Sequence, residues 1–81
     1  MIWITFRSVT YAQMGGRALS RAGIGCTMLR TPRSMESRGC GYCLKIRKNG
    51  EQAVKELKKQ GIPFRKVWKQ GENGEPEEVT A

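Results

Sequence analysis

Residues 19–24, "LSRAGI", and residues 57–62, "LKKQGI", share one skeleton 38 positions apart: Leu19, Gly23 and Ile24 recur as Leu57, Gly61 and Ile62. In each copy the glycine stops an amphipathic helical pattern and the isoleucine opens an apolar strand pattern. Working outward from the first copy, the periodicity predicts a helix over about residues 10–22. Ser8 or Thr10 is its cap, and Ala12, Leu19 and Ala22 lie on its inner side. Before it, "MIWITF" alternates Ile2, Ile4 and Phe6 with Trp3 and Thr5, the pattern of a strand with one aliphatic face. Around the second copy, "GEQAVKELKKQ" (50–60) is helical, with an apolar stripe of Ala53, Val54 and Leu57. "CLKIR" (43–47) before it is a strand, with Leu44 and Ile46 facing one way and Cys43, Lys45 and Arg47 the other. "IGCTML" (24–29) and "IPFRKVWK" (62–69) complete the set as the strands that follow each glycine.

The resulting order is βαβ twice, which closes most simply as a ferredoxin-like βαββαβ sandwich. This α+β fold has a four-stranded antiparallel sheet with two helices on one face. The first and third strands are then central neighbours, and Trp3, Thr5 and Arg7 share the uncovered face with Cys43, Lys45 and Arg47. Gly15 and Gly16 weaken the first helix by roughly 1 kcal/mol each, which predicts either a close approach to its backbone or a tolerance of its bending.

Eighty-one residues suffice for one small domain with a modest core, and not for a deep active site. That domain is expected over residues 1–70. The remaining 71–81, "GENGEPEEVTA", are rich in glycine, proline and glutamate and are expected to form a flexible acidic tail. Charge divides the same way. Residues 1–69 hold all 15 basic side chains against three acids, 15 minus 3 or about +12, whereas Glu72, Glu75, Glu77 and Glu78 crowd the end. Such a body attracts anions, whether phosphate backbones, acidic proteins or small sulfur and selenium species. A solvated basic surface with no ligand has the same composition. No apolar run approaches the roughly 20 residues of a bilayer span, and the first ten residues lack the pattern of a signal peptide. The chain is therefore expected in the cytoplasm, with no membrane partner.

Three cysteines, Cys26, Cys40 and Cys43, and no histidine limit the chemistry. The odd count argues against a disulfide framework. A tetrahedral metal site lacks its fourth ligand within the chain, so neither metal nor cofactor is expected. Nucleophilic hydrolysis lacks its usual base. Thiol exchange needs only an accessible cysteine with a populated thiolate. Cys40 meets that requirement: Gly39 and Gly41 leave it unshielded, and Arg30, Arg33 and Arg38 can stabilise its anion. Cys43 is close enough to act as a resolving thiol. The alternative is structural, with both cysteines serving as small apolar residues where a strand begins. Cys26, in an apolar second strand, reads as a core residue.

With these parts in place, the chain resembles the short sulfur/selenium carrier-like family, whose members run strand, helix, Gly-Ile, strand, a Pro-containing loop with serines, Cys-Gly and a strand. The matching segments are "ITF", "RALSRAGI", "MLRTPRSMESRGCGYCLKI" and "VKELKKQGIPFRKVW", spanning about residues 2–69. The resemblance implies that Cys40 holds sulfur or selenium as a persulfide or selenosulfide and passes it between donor and acceptor proteins, as a carrier rather than an enzyme. Cys43 is a feature of this chain and not of the family's shared pattern.

Three other readings compete. A thiol redox or sensor domain would use Cys40 and Cys43, although here a strand follows the pair, not the helix whose dipole activates thioredoxin-type thiols. Nucleic-acid binding fits the charge and the element order. However, the RNA recognition motif register over "RGCGYCLK" would bury Lys45 while exposing Leu44 and Ile46, which is energetically backward. A non-catalytic module could form a homodimer through the open sheet face bearing Trp3.

Overall fold

The computed structural model describes residues 1–31, 41–71, 74 and 76–79. Strand β1 (Ile2–Phe6) is followed by helix α1 (Val9–Arg21), strands β2 (Thr27–Arg30) and β3 (Tyr42–Ile46), helix α2 (Gly50–Lys59), and strands β4 (Lys66–Gln70) and β5 (Pro76–Val79). The sheet runs β2-β3-β1-β4-β5 with every pairing antiparallel. The expected βαββαβ order is present with β1 and β3 as neighbours, but the expectation of four strands is corrected: the sheet has five. The acidic segment expected as a flexible tail contributes Pro76–Val79 as an edge strand on β4. Its support is tertiary. Val79 sits opposite Val67 and packs against the core, and Glu78 reaches Lys66 at 3.7 Å.

The repeated Leu-Gly-Ile skeleton is a pair of Schellman caps. Gly23 (φ +78°) and Gly61 (φ +70°) adopt the left-handed conformation that glycine enters without a Cβ penalty. Beyond them, Ile24 N–H donates to the Leu19 carbonyl at 2.8 Å and Ile62 N–H to the Leu57 carbonyl at 3.0 Å. Gly23 and Gly61 N–H reach Ser20 and Lys58. Each isoleucine is thus turned back onto the leucine that precedes it, and all four side chains are buried in one core. Ser8, not Thr10, caps α1, its Oγ accepting from Tyr11 N–H. Ala22, expected inside, is the exposed C-cap residue.

The core lies between the helices and one sheet face, built from Ile4, Phe6, Leu44, Ile46 and Val67 below and Ala12, Ala18, Leu19, Ala53 and Leu57 above. The close approach predicted at the α1 glycines occurs at Gly15, where a Cβ would lie 2.9 Å from Phe6 Cζ and 3.3 Å from Leu44 Cδ1. Gly16 has more room, with Leu44 Cδ2 and Cys26 Sγ at 3.8 and 3.9 Å. Among the described residues, no helix is long and apolar enough to cross a membrane.

Candidate functional site

Strands β2 and β3 form a hairpin whose base is held by Thr31 N–H donating to the Gly41 carbonyl at 3.2 Å. Gly41 follows Cys40 directly and has φ +123°, and a Cβ there would stand 3.0 Å from the Phe6 carbonyl oxygen and 3.6 Å from Thr31 Oγ1. Backbone conformation and close packing therefore both demand glycine at this position. The Thr31 hydroxyl is buried and has no hydrogen-bond partner among the described residues. Cys40, Gly39, Arg33 and Arg38 lie outside the described residues.

Two residues beyond Gly41, Cys43 sits on the sheet face away from the helices, between Leu29 on β2 and Thr5 on β1. This is the register expected from the alternation of "CLKIR". Its side chain is fully buried, and burial pushes its thiol pKa up, because removing water disfavours the thiolate. The adjacent Thr5 hydroxyl both accepts from Lys66 N–H (3.0 Å) and donates to the Lys66 carbonyl (3.3 Å), so this part of the face is internally satisfied. Arg30 is exposed opposite Tyr42, on the helix side of the sheet, and so on the other face from Cys43.

Cys26 departs from the sequence expectation. It precedes β2 instead of lying within it, and it is half-buried beside Gly16. Its pKa is also raised by burial. Strand β2 is exposed along its length, with Met28 and Leu29 open to solvent, because it is the sheet edge. Among the described residues, no group of three or more His, Cys, Asp or Glu side chains converges as a metal site.

The geometry is thus a hairpin whose base is fixed immediately after Cys40, in a fold that buries Cys43 fully and Cys26 by half. Residues 1–69 match the model of the family described as "Putative Se/S carrier protein-like". The chain belongs to that family. The match covers both βαβ units and the hairpin and ends before β5, which lies outside the matched residues. Neither the curated proteins nor the solved structures yield a match.

Sequence reasoning overlooked one feature of the open face. Trp68 stands directly opposite Trp3 in the β1–β4 register. Its signal was available in "IPFRKVWK", where Val67 and Trp68 point to opposite faces, but its neighbour is known only once the register is fixed.

Proposed function

We propose that the chain is a non-enzymatic carrier of sulfur or selenium in the cytoplasm, holding one chalcogen atom on Cys40 and handing it from a donor protein to an acceptor. The observation that carries this reading is membership of the Se/S carrier-like family across the segment that includes Cys40. The full burial of Cys43 and the partial burial of Cys26, each with a raised pKa, support Cys40 as the reactive thiol of the three.

In loading, the Cys40 thiolate attacks the terminal sulfur of a donor persulfide, and the donor's thiolate leaves, so the step is redox-neutral. In unloading, an acceptor nucleophile attacks the terminal chalcogen and the Cys40 thiolate leaves. Arg30, Arg33 and Arg38 would stabilise that thiolate in both directions, and Gly39 and Gly41 would keep its approach open. Cys43, when deprotonated, could attack the inner sulfur of the Cys40 persulfide, expel hydrosulfide and close a disulfide. The burial of Cys43 slows this discharge, because its thiolate is scarce near neutral pH.

Incubating the reduced protein with a cysteine desulfurase and cysteine, or with a selenocysteine lyase and selenocysteine, tests the reading by intact mass. The expected product carries one added sulfur or selenium on Cys40, labile to dithiothreitol, absent from Cys40→Ser and longer-lived in Cys43→Ser. No adduct under anaerobic conditions with either donor would overturn it.

A further inference from the structure

The proposed carrier chemistry leaves most of the sheet face opposite the helices unused. Across that face, Thr27 on β2, Lys45 on β3, Trp3 on β1, Trp68 on β4 and Glu78 on β5 are consecutive cross-strand partners. The strands therefore set two indoles side by side, about 5 Å apart at the backbone. Both tryptophans are partly exposed. Trp68 Nε1 is shielded, with no acceptor among the described residues.

One strand from Trp3, Lys45 lines an open cleft of about 530 Å³ with Arg47, Lys48, Thr27 and Cys26, bordered by Gly23 and Gly25. Among the described residues, no carboxylate pairs with Lys45, Arg47 or Lys48. The cleft lies at the end of the β2–β3 hairpin remote from Gly41.

Flat carbon surface beside unneutralised cations matches a ligand that alternates aromatic rings with negative charges. Single-stranded nucleic acid has that alternation: its bases present open π faces and its phosphates follow at each nucleotide. A duplex hides its base faces, and a small anion or an acidic peptide would engage the cations and leave the indoles idle. At the other end of the row, Lys66 Nζ lies over the Trp68 ring, 5.8 Å from its centroid, and pairs with Glu78 at 3.7 Å, so the charge at that end is neutralised. We propose that this face binds single-stranded nucleic acid, with two consecutive bases on Trp3 and Trp68 and the flanking phosphates on Lys45, Arg47 and Lys48.

The test is fluorescence anisotropy of the reduced full chain with a labelled ten-nucleotide oligothymidylate, alone and annealed to oligoadenylate, alongside intrinsic tryptophan emission. The single strand is expected to bind on the order of tenfold tighter than the duplex and to quench the tryptophans. Three phosphate contacts predict a slope of log K against log salt near −2, about 0.7 for each contact. Lys45→Gln/Arg47→Gln/Lys48→Gln should bring that slope close to zero, Trp3→Ala should weaken binding roughly tenfold, and Glu78→Gln should tighten it. Should Trp3→Ala fail to fold, the charge variants still decide the matter, with circular dichroism as the check on folding. Cys40→Ser should bind as the parent does, so a failure here leaves the carrier reading standing.

Equal binding of single strand and duplex without quenching would overturn the inference, as attraction by net charge alone. So would an unchanged slope in the triple variant, or displacement of the oligonucleotide by polyglutamate at equal charge concentration. A sedimentation dimer that persists in saturating oligonucleotide would equally overturn it, with a second copy as the occupant of the face.

Discussion

Substituting the two adjacent glycines of α1 by alanine should move stability in opposite directions, although the helix itself treats them alike. At an exposed helical position Gly→Ala stabilises by up to about 1 kcal/mol. At Gly16 the added methyl meets Leu44 Cδ2 and Cys26 Sγ at 3.8 and 3.9 Å, ordinary contact distances, so most of that gain should survive. At Gly15 it would lie 2.9 Å from Phe6 Cζ and 3.3 Å from Leu44 Cδ1. Phe6 and Leu44 are each only 1% exposed and packed within the core, so neither ring nor methyl can retreat without displacing neighbours. Overpacking of this kind costs about 1–3 kcal/mol. Set against a helical gain of about 1 kcal/mol, it leaves Gly15→Ala destabilised by up to about 2 kcal/mol. Urea melts should show the Gly16→Ala midpoint above the parent and the Gly15→Ala midpoint below it, and thermal midpoints should separate by several degrees, at about 4–8 °C per kcal/mol. If Gly15→Ala matched or exceeded the parent, or if both variants fell together, the packing of the sheet against α1 described above would be refuted.

Other expectations follow from the same contacts. Thr5→Val removes a buried hydroxyl that serves both the N–H and the carbonyl of Lys66, and should cost about 1–3 kcal/mol in chemical denaturation. Glu78→Gln breaks an ion pair whose side chains are about half exposed, so urea melts should place it within about 0.5 kcal/mol of the parent. Ending the chain at Gln70 removes Val79 from the core edge as well, and should destabilise clearly more than Glu78→Gln. The shielded thiols set a pH dependence. The pKa values of Cys43 and Cys26 are raised in the folded state, so the native protein holds protons that the unfolded chain releases above about pH 8.5. Stability is therefore unaffected below that pH and falls as pH rises through the folded-state values. The Cys43→Ala/Cys26→Ala variant should show a shallower alkaline decline when melts at pH 7, 9 and 10 are compared.

Much of this fold is written in local pattern. The Leu-Gly-Ile repeat announces both helix ends because a Schellman cap needs a left-handed glycine and a hydrophobic residue after it, and both copies supply them. Alternation in residues 2–6 and 43–47 assigns faces correctly because each central strand buries one side only. The β5 strand was not legible. "PEEV" has a single apolar residue to place inside, and its pairing depends on Val67 and Lys66 presented by β4, a tertiary cause with no local signature. Strand boundaries drifted for a related reason: Ile24 and Ile62 are apolar because they close helix caps, not because they begin ladders, so β2 and β4 start later than the hydrophobicity suggests. At the candidate site, the alternation placed Cys43 on the uncovered face but could not foretell its complete burial there, which arises from neighbours on other strands. Cys40, Arg33, Arg38 and Gly39 lie outside the described residues, so the roles proposed for them are read from the sequence.

The claim that one thiol of the three carries the chemistry is tested most directly by site-resolved alkylation. The reduced native protein is treated with a limiting excess of iodoacetamide at pH 7, sampled over time, and each cysteine is quantified by peptide mass spectrometry. The account predicts that Cys40 reacts first, the half-buried Cys26 later and the fully buried Cys43 last. Added salt should slow Cys40, whose thiolate is held to depend on nearby arginines. Cys43 reacting as fast as Cys40, or all three thiols reacting at one rate in the folded protein, would contradict it.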